Sequence, residues 1–140
     1  MASILKPGEI DGMDALYMDS HGEAAISVFT CGRALDNAGE VSGIPAAAWT
    51  RRASDVVGVV VRGVKPHVLE TFAEPDRLSA VFRARIGQKG KVQAGDVLRE
   101  ADGTVWLVFE PTEFESGRPR VRAGLELVPV SMVPAALRLP

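Results

Sequence analysis

The sequence predicts a mainly β protein that folds as one small domain, either a barrel or a sandwich. Apolar residues recur mainly with a period of two rather than 3.6, which is typical of strands. Turn dipeptides such as Asp102-Gly103 separate the patterned stretches, and such dipeptides are typical of hairpins. A length of 140 residues, 46% hydrophobic and 24% charged, is enough for one domain with its own core.

The strand pattern appears in several stretches along the chain. Residues 25–30 and 56–64 are almost continuously apolar or β-branched, which is consistent with burial on both faces or with a subunit contact. In residues 78–86, 105–110 and 121–128, apolar residues recur at every second position. This pattern predicts strands with one face on the core. These stretches make up a predicted β core over residues 25–130.

The Asp102-Gly103 dipeptide predicts the sharpest turn, a two-residue hairpin of type I′. Such a loop places Arg99 opposite Trp106, with the guanidinium over the indole ring. Two further turns, at residues 95–96 and 115–117, complete a meander of three strands over residues 97–130.

Around this core, we expect residues 1–140 to form a single domain with extended ends and one long loop. Residues 1–24 are predicted to be an extended N-terminal segment, and residues 31–52 a loop rich in glycine and small residues. Residues 131–140 form an apolar tail interrupted by prolines. A loop of this length is more often functional than idle, and an apolar tail needs a surface on which to dock.

Charge is unevenly distributed along the chain, although the net charge is only −2. Residues 1–24 carry −4, residues 25–93 carry +4 and the remainder carries −2. An acidic segment beside a basic middle predicts a complementary neighbour, within the fold or in another subunit. A pI near 5.7 argues against general binding of nucleic acid through a basic surface. The N-terminus has no apolar run typical of a signal peptide or membrane anchor, so we expect an intracellular protein.

Few residues are placed for catalysis. Neither His21 nor His67 has a second histidine at a metal-ligand spacing, which disfavours a metal site. Cys31 is the one cysteine of the sequence, so it has no internal disulfide partner, and a structural thiol is favoured over a nucleophile. Glu113 and Glu115 lack the apolar surroundings that would raise a pKa. The sequence therefore predicts no enzyme, no metal site and no cofactor.

After three strands and the long loop, the chain carries the motifs Ala94-Gly95-Asp96-Val97-Leu98 and Asp102-Gly103-Thr104-Val105-Trp106-Leu107-Val108. This order resembles the small head–tail joining proteins of tailed bacteriophages, the connector, stopper or head-completion group. The resemblance covers residues 25–130 and rests on a hairpin of the form glycine-aspartate, apolar, then glycine, aromatic, valine. For the fold, it implies a small β-barrel with a long loop between the first two strands.

The resemblance also implies a function. The chain would form a ring of identical subunits, a hexamer or dodecamer, that seals the filled head and offers a surface to the tail. Genomic DNA would pass through the ring without sequence recognition. The implied neighbours are portal or adaptor proteins and tail-terminator or tail proteins. The implied location is the neck of the virion, after assembly in the host cytoplasm and without a membrane partner.

Extended parts of the chain are the predicted contacts between subunits, because ring subunits use heterologous contacts that close by rotation. The predicted contact residues are Trp49, Arg51, Arg52, Val133, Leu137 and Leu139, together with the acidic N-terminal segment. We expect removal of residues 131–140 to leave the barrel folded and to abolish assembly.

Two alternatives remain open from the sequence. One is another phage tail component with the same β content, such as a tail-terminator, tube or baseplate subunit. The other is a small cytoplasmic barrel that binds a ligand or peptide, with Trp49 and Trp106 as the aromatic residues around which a pocket is expected.

Overall fold

A computed structural model describes residues 22–31, 49–72, 75–115 and 117–139, and it confirms the predicted mainly β class. The strands are β1 (Ala24–Cys31), β2 (Trp49–Arg51), β3 (Val56–Arg62), β4 (Ala80–Arg85), β5 (Val97–Arg99), β6 (Val105–Glu115) and β7 (Arg118–Leu127). A single-turn helix, α1 (Pro66–Leu69), follows β3, and short 3-10 turns lie at residues 75–77, 86–88, 130–132 and 135–137.

Within the described residues, six strands close into an antiparallel barrel in the order β1, β3, β4, β7, β6, β5. Pairing of β5 with β1 closes the barrel. The extra strand, β2, extends the sheet on the β3 side of β1, because Phe29 pairs with Arg51 on one side and with Val97 of β5 on the other. The closing pair decides between the barrel and the sandwich that the sequence left open.

The barrel interior is filled by side chains from alternate positions of the strands, as the period of two requires. Phe82, Leu98 and Leu125 are among the largest fully buried residues, and Trp106 lies beside them with 3% of its surface exposed. The buried members of this interior core are Ile26, Val28, Val56, Ala80, Phe82, Ala84, Val92, Leu98, Trp106, Val108, Val121, Ala123 and Leu125.

Gly58 of β3 is required by a close approach inside the barrel. A Cβ atom at this position would lie 2.6 Å from the backbone oxygen of Arg83 and 2.6 Å from the ring of Phe82. Because the backbone of β4 cannot yield cheaply, we expect Gly58→Ala to lower the free energy of unfolding by about 1–3 kcal/mol. Gly87→Ala is the matched control, since its Cβ would meet nothing within 4 Å. Urea denaturation of both variants measures the difference, and equal midpoints would contradict the packing.

A second core covers the outer surface of β1, β5 and β6. It consists of Phe29, Trp49, Val97, Val105, Leu107, Val128, Val133 and Leu137. This outer core explains why β1, β5 and the start of β6 are apolar on both faces. Strands of parallel sheets that are buried on both sides show the same pattern.

The C-terminal tail therefore docks on its own barrel. Leu137 is fully buried in the outer core and Val133 is nearly so. The guanidinium of Arg99 donates hydrogen bonds to the backbone oxygens of Leu137 and Arg138, at 3.4 and 3.3 Å. This apolar tail completes a core of the same chain, so removing residues 131–140 would expose the outer core. That the barrel stays folded without the tail remains a prediction.

The predicted hairpin at Asp102-Gly103 is present, but its register is shifted by one residue. Arg99 pairs with Val105 and Leu98 with Trp106. The loop has three residues, closed by the N–H of Glu100 donating to the oxygen of Thr104 at 2.9 Å. Among the described loop residues, only Gly103 has positive φ, at 93°, which is typical of a three-residue loop with a glycine bulge.

This shift overturns the predicted contact between Arg99 and Trp106. A slip of one residue moves a side chain to the opposite face of the sheet. Arg99 therefore lies on the outside, 5.0 Å from the ring centroid of Phe29, whereas Trp106 lies inside and is covered by Arg62 at 5.4 Å.

The other predicted turns and the three-strand meander are confirmed. The N–H of Asp96 donates to the oxygen of Gln93 at 3.0 Å, with Gly95 at φ 85°. Strands β6 and β7 are joined through residues 116–117. The predicted loop 31–52 needs one correction, since residues 49–51 form β2; residues 32–48 lie outside the described residues.

Candidate functional site

The catalytic candidates are not brought together by the described part of the structure. His21 lies outside the described residues, as do the side chains of Cys31, His67 and Glu115. Glu113 is exposed. In the described ranges, no group of three or more histidine, cysteine or acidic residues is arranged to hold a metal ion.

Most of the predicted contact residues engage their own chain. Trp49 packs in the outer core with Val133 and Leu137, and Arg52 forms an ion pair with Asp96. Arg51 and Leu139 remain exposed, although Arg51 donates a hydrogen bond to Asp55 at 3.3 Å. A contact between subunits therefore remains a prediction, and it fits these two residues better than the other four. The acidic N-terminal segment up to residue 21 lies outside the described residues.

The pair of Arg52 and Asp96 is a buried connection that the sequence did not indicate. Arg52 donates from Nε to Oδ2 of Asp96 at 3.1 Å and from its terminal nitrogen to Oδ1 at 3.3 Å. Asp96 is 3% exposed and also accepts the N–H of Gln93 at 2.9 Å. The pair joins the segment between β2 and β3 to the turn before β5, two regions that are 44 residues apart in the chain.

A groove with a cavity volume of about 780 Å³ lies beside the C-terminal tail. We call it the tail groove. Its lining residues are Arg62, Ser79, Asp102, Gly103, Thr104, Val105, Trp106, Leu127, Val128, Val130 and Val133. The groove lies at the end of the barrel where β3 ends and β6 begins. Apolar side chains from β6, β7 and the tail form much of its wall.

Exposed apolar residues cluster around the tail groove. Among the described residues, the large hydrophobic side chains with high exposure are Leu127 at 43%, Val130 at 86%, Met132 at 41% and Leu139 at 45%. Leu127 and Val130 line the groove, and the side chain of Leu139 lies beside Gly103 at its edge. Three of the four side chains, Leu127, Val130 and Leu139, thus lie at the groove or its edge. This makes the groove a candidate contact surface, since scattered single exposures would need no explanation.

The polar wall of the groove is held by a small network. The indole N–H of Trp106 donates to Glu100 Oε2 at 3.0 Å, and Arg62 forms an ion pair with the same carboxylate while covering the indole ring. Asp102 accepts the backbone N–H of Thr104 at 2.9 Å. This hydrogen bond lowers the pKa of Asp102 below its ordinary value of 3.8. These contacts fix the hairpin that borders the groove.

A second candidate surface is the outer face of β4 and β7, which carries a block of arginines. We call it the arginine face, and its members are Arg83, Arg85, Arg118, Arg120 and Arg122. Arg83 pairs directly with Arg122, and Arg85 with Arg120. Glu23 lies on this face and accepts two hydrogen bonds from Arg85, at 3.2 and 3.3 Å. The period of two in both strands brings these side chains to one face.

Comparisons with protein-family models, with curated proteins and with solved structures each found no match for this chain. No helix in the described ranges has the length and apolar character needed to span a membrane.

Proposed function

We propose that this chain is a structural subunit of a phage virion, which assembles into a ring at the head–tail junction. The ring would seal the DNA-filled head and provide the surface to which the tail attaches. The observation that carries the proposal is the exposed apolar surface formed by Leu127, Val130 and Leu139 at the tail groove. Apolar patches of this kind mark sites where proteins associate.

The closed barrel supports this role as a rigid scaffold. A ring subunit presents one surface to a neighbour and a different surface to the next, so its contacts must be held in a fixed relation. Two cores, inside and outside the barrel, bury apolar residues from every described strand, including Trp49 of the short β2. The tail that carries the apolar surface is anchored by Val133 and Leu137, which are buried in the outer core.

The charge of the chain also fits passage of DNA. A net charge of −2 gives little non-specific attraction for phosphates, whereas a strongly basic lining would hold DNA through release of counterions. The proposed partners are identical subunits, portal or adaptor proteins and tail proteins, in a virion assembled in the host cytoplasm.

We expect Val130→Asp to prevent self-association while the barrel remains folded. The side chain is 86% exposed, so the change costs the monomer little, but a charge buried in an apolar contact without a partner is strongly unfavourable. Light scattering after size-exclusion chromatography measures the mass of the assembly. Ser54→Asp, an exposed position at the opposite end of β3, adds the same charge as a control. A wild-type monomer at micromolar concentrations, or an unchanged oligomer in Val130→Asp, would contradict this contact.

Disruption of this gene alone in a phage or prophage tests the location. Electron microscopy of the lysate is expected to show separate tails beside heads that packaged DNA and then lost it. Complete heads with aberrant or missing tails would instead favour the alternative of a tail-terminator, tube or baseplate subunit. Normal infectious particles would remove the virion role.

The tail groove also favours a second candidate function, a barrel that binds a ligand or an extended peptide. A volume of about 780 Å³ lies within the range of small-molecule sites, and Arg62 and Asp102 supply polar groups beside the apolar wall. The barrel interior is occupied by its own core, so the ligand would bind on the outside. A monomer that shows saturable quenching of Trp106 fluorescence on binding would favour this function over the ring.

A further inference from the structure

A window opens in the wall of the barrel where β1 begins. Strand β3 pairs with β1 from Val56 to Gly58, but β3 continues for four more residues, to Arg62. Residues 100–102 of the hairpin between β5 and β6 lie on the other side of this gap. The cavity between them has a volume of about 360 Å³ and is lined by the start of β1, the second half of β3 and the hairpin. We call it the β1 window.

The edge of β3 that borders the β1 window presents backbone groups without a strand opposite them. The N–H of Arg52 donates to the backbone oxygen of Val28 at 2.8 Å, so the even-numbered residues of β1 direct their backbone groups toward β2 and β3. Because alternate residues of an antiparallel strand point to opposite neighbours, the even-numbered residues of β3 face β1 in return. Val60 and Arg62 therefore direct their backbone groups to the window, where neither has a backbone partner within the described ranges. Such an edge is a template for a further strand.

The chain before β1 leads into this window. Gly22 is the first described residue and lines the cavity, so the residues that precede it arrive beside the free edge of β3. Its φ of 84° is positive, as for the glycine of a G1 bulge, where a strand continues past one extra residue. Glu23 holds this entry against the sheet, because its carboxylate accepts two hydrogen bonds from Arg85 of β4, at 3.2 and 3.3 Å.

Residues 15–21 have the composition and the length of a strand that fits this edge. Leu16, Tyr17 and Met18 are consecutive, and residues 13–21 contain neither glycine nor proline. Aromatic residues favour strands, whereas glycine and proline disfavour them. Seven extended residues span about 23 Å, and the free edge from Gly58 to Arg62 is about 13 Å long. The segment is therefore long enough to cover the whole edge.

We propose that residues 15–21 of the same chain dock in the β1 window as a strand antiparallel to β3, which continues β1 past Gly22 and completes the barrel wall. Entry at Gly22 favours this occupant over a second copy, since a short tether gives an effective concentration in the millimolar range. The window shares Arg62 and Asp102 with the tail groove, so the docked strand borders that groove. The proposal concerns one chain and does not depend on the ring.

Amide hydrogen exchange of the whole chain, followed at single residues by NMR, tests this docking. Met18→Pro with Asp19→Pro removes two adjacent N–H groups, one of which faces β3 in either register. We expect the amide of Val60 to exchange at least about tenfold faster in this variant than in the wild type. Val59 and Val61 are internal controls, because their backbone groups point to β4, and their exchange is expected to stay unchanged. Ala2→Pro with Ser3→Pro is the matched control outside the segment, and it is expected to leave all three amides as they are.

Nuclear Overhauser effects in the wild-type chain keep the test independent of how the proline variants fold. We expect backbone contacts between residues 15–21 and residues 60–62. In a mixture of labelled and unlabelled protein, isotope-filtered spectra are expected to contain none of these contacts. Their appearance in the filtered spectra would overturn docking within one chain in favour of a second copy. Absence of the contacts in the wild type, or exchange of Val60 that the prolines at 18 and 19 leave unchanged, would overturn the strand itself.

Discussion

Replacing Leu137 with alanine is expected to lower the free energy of unfolding by about 2–5 kcal/mol. Leu137 is fully buried in the outer core with Phe29, Trp49 and Leu107. Truncation removes apolar surface from contact and leaves a cavity, and the two effects add. Because Trp49 packs in the same cluster, urea denaturation followed by tryptophan fluorescence reports directly on this core.

Leu139→Ala is the matched control for this prediction. The same substitution two residues later changes a side chain that is 45% exposed, so we expect a change within about 0.5 kcal/mol. Equal destabilisation by the two variants would mean that the tail does not complete the outer core. In the proposed ring, the two positions also have separate roles, since Leu137 anchors the tail and Leu139 belongs to the exposed apolar surface.

The second large effect is expected from Asp96→Asn, which keeps the volume of the side chain and removes its charge. Asp96 is buried, while the side chain of Arg52 is 26% exposed. Removing one partner of a buried ion pair costs about 3–5 kcal/mol because the other charge is left without compensation. Since water reaches part of Arg52, we expect a loss of about 2–3 kcal/mol, measured by urea denaturation.

A double-mutant cycle separates the ion pair from other effects of Asp96→Asn. Arg52→Met in the same chain removes the uncompensated charge, so the double variant is expected to regain part of the lost stability. Asp55→Asn is the control, because Asp55 pairs with Arg51 at the surface, where such pairs contribute about 0–1 kcal/mol. Strictly additive effects of Arg52→Met and Asp96→Asn would show that the two side chains do not interact.

The residues predicted to contact another subunit show what a sequence pattern does not determine, namely which surface an apolar segment covers. An apolar tail predicts that some surface will be covered, but the same residues satisfy that need on their own barrel or on another subunit. Val133 and Leu137 turn inward because the outer face of β5 and β6 is itself apolar. Val130 and Met132, two positions in a 3-10 turn, point outward. Sequence alone does not distinguish these two outcomes.

The hairpin illustrates the same limit at a smaller scale. The Asp102-Gly103 dipeptide correctly predicts a turn, because glycine there adopts a positive φ at low cost. The dipeptide does not decide whether the loop has two residues or three, and the type of turn depends on that length. One extra residue in the loop placed Arg99 and Trp106 on opposite faces of the sheet, and Arg62 rather than Arg99 lies over the indole ring.

By itself the sequence determined the mainly β class, the approximate strands and the three-strand meander of this protein. These features depend on the period of side chains along one strand and on turn residues, which act over a few neighbours. Only the tertiary structure decided the closed barrel, the docking of the tail, the Arg52–Asp96 pair and the alignment of arginines on β4 and β7. Each of these depends on which distant segments meet and in which register, and a shift of one residue in that pairing turns every side chain to the opposite face.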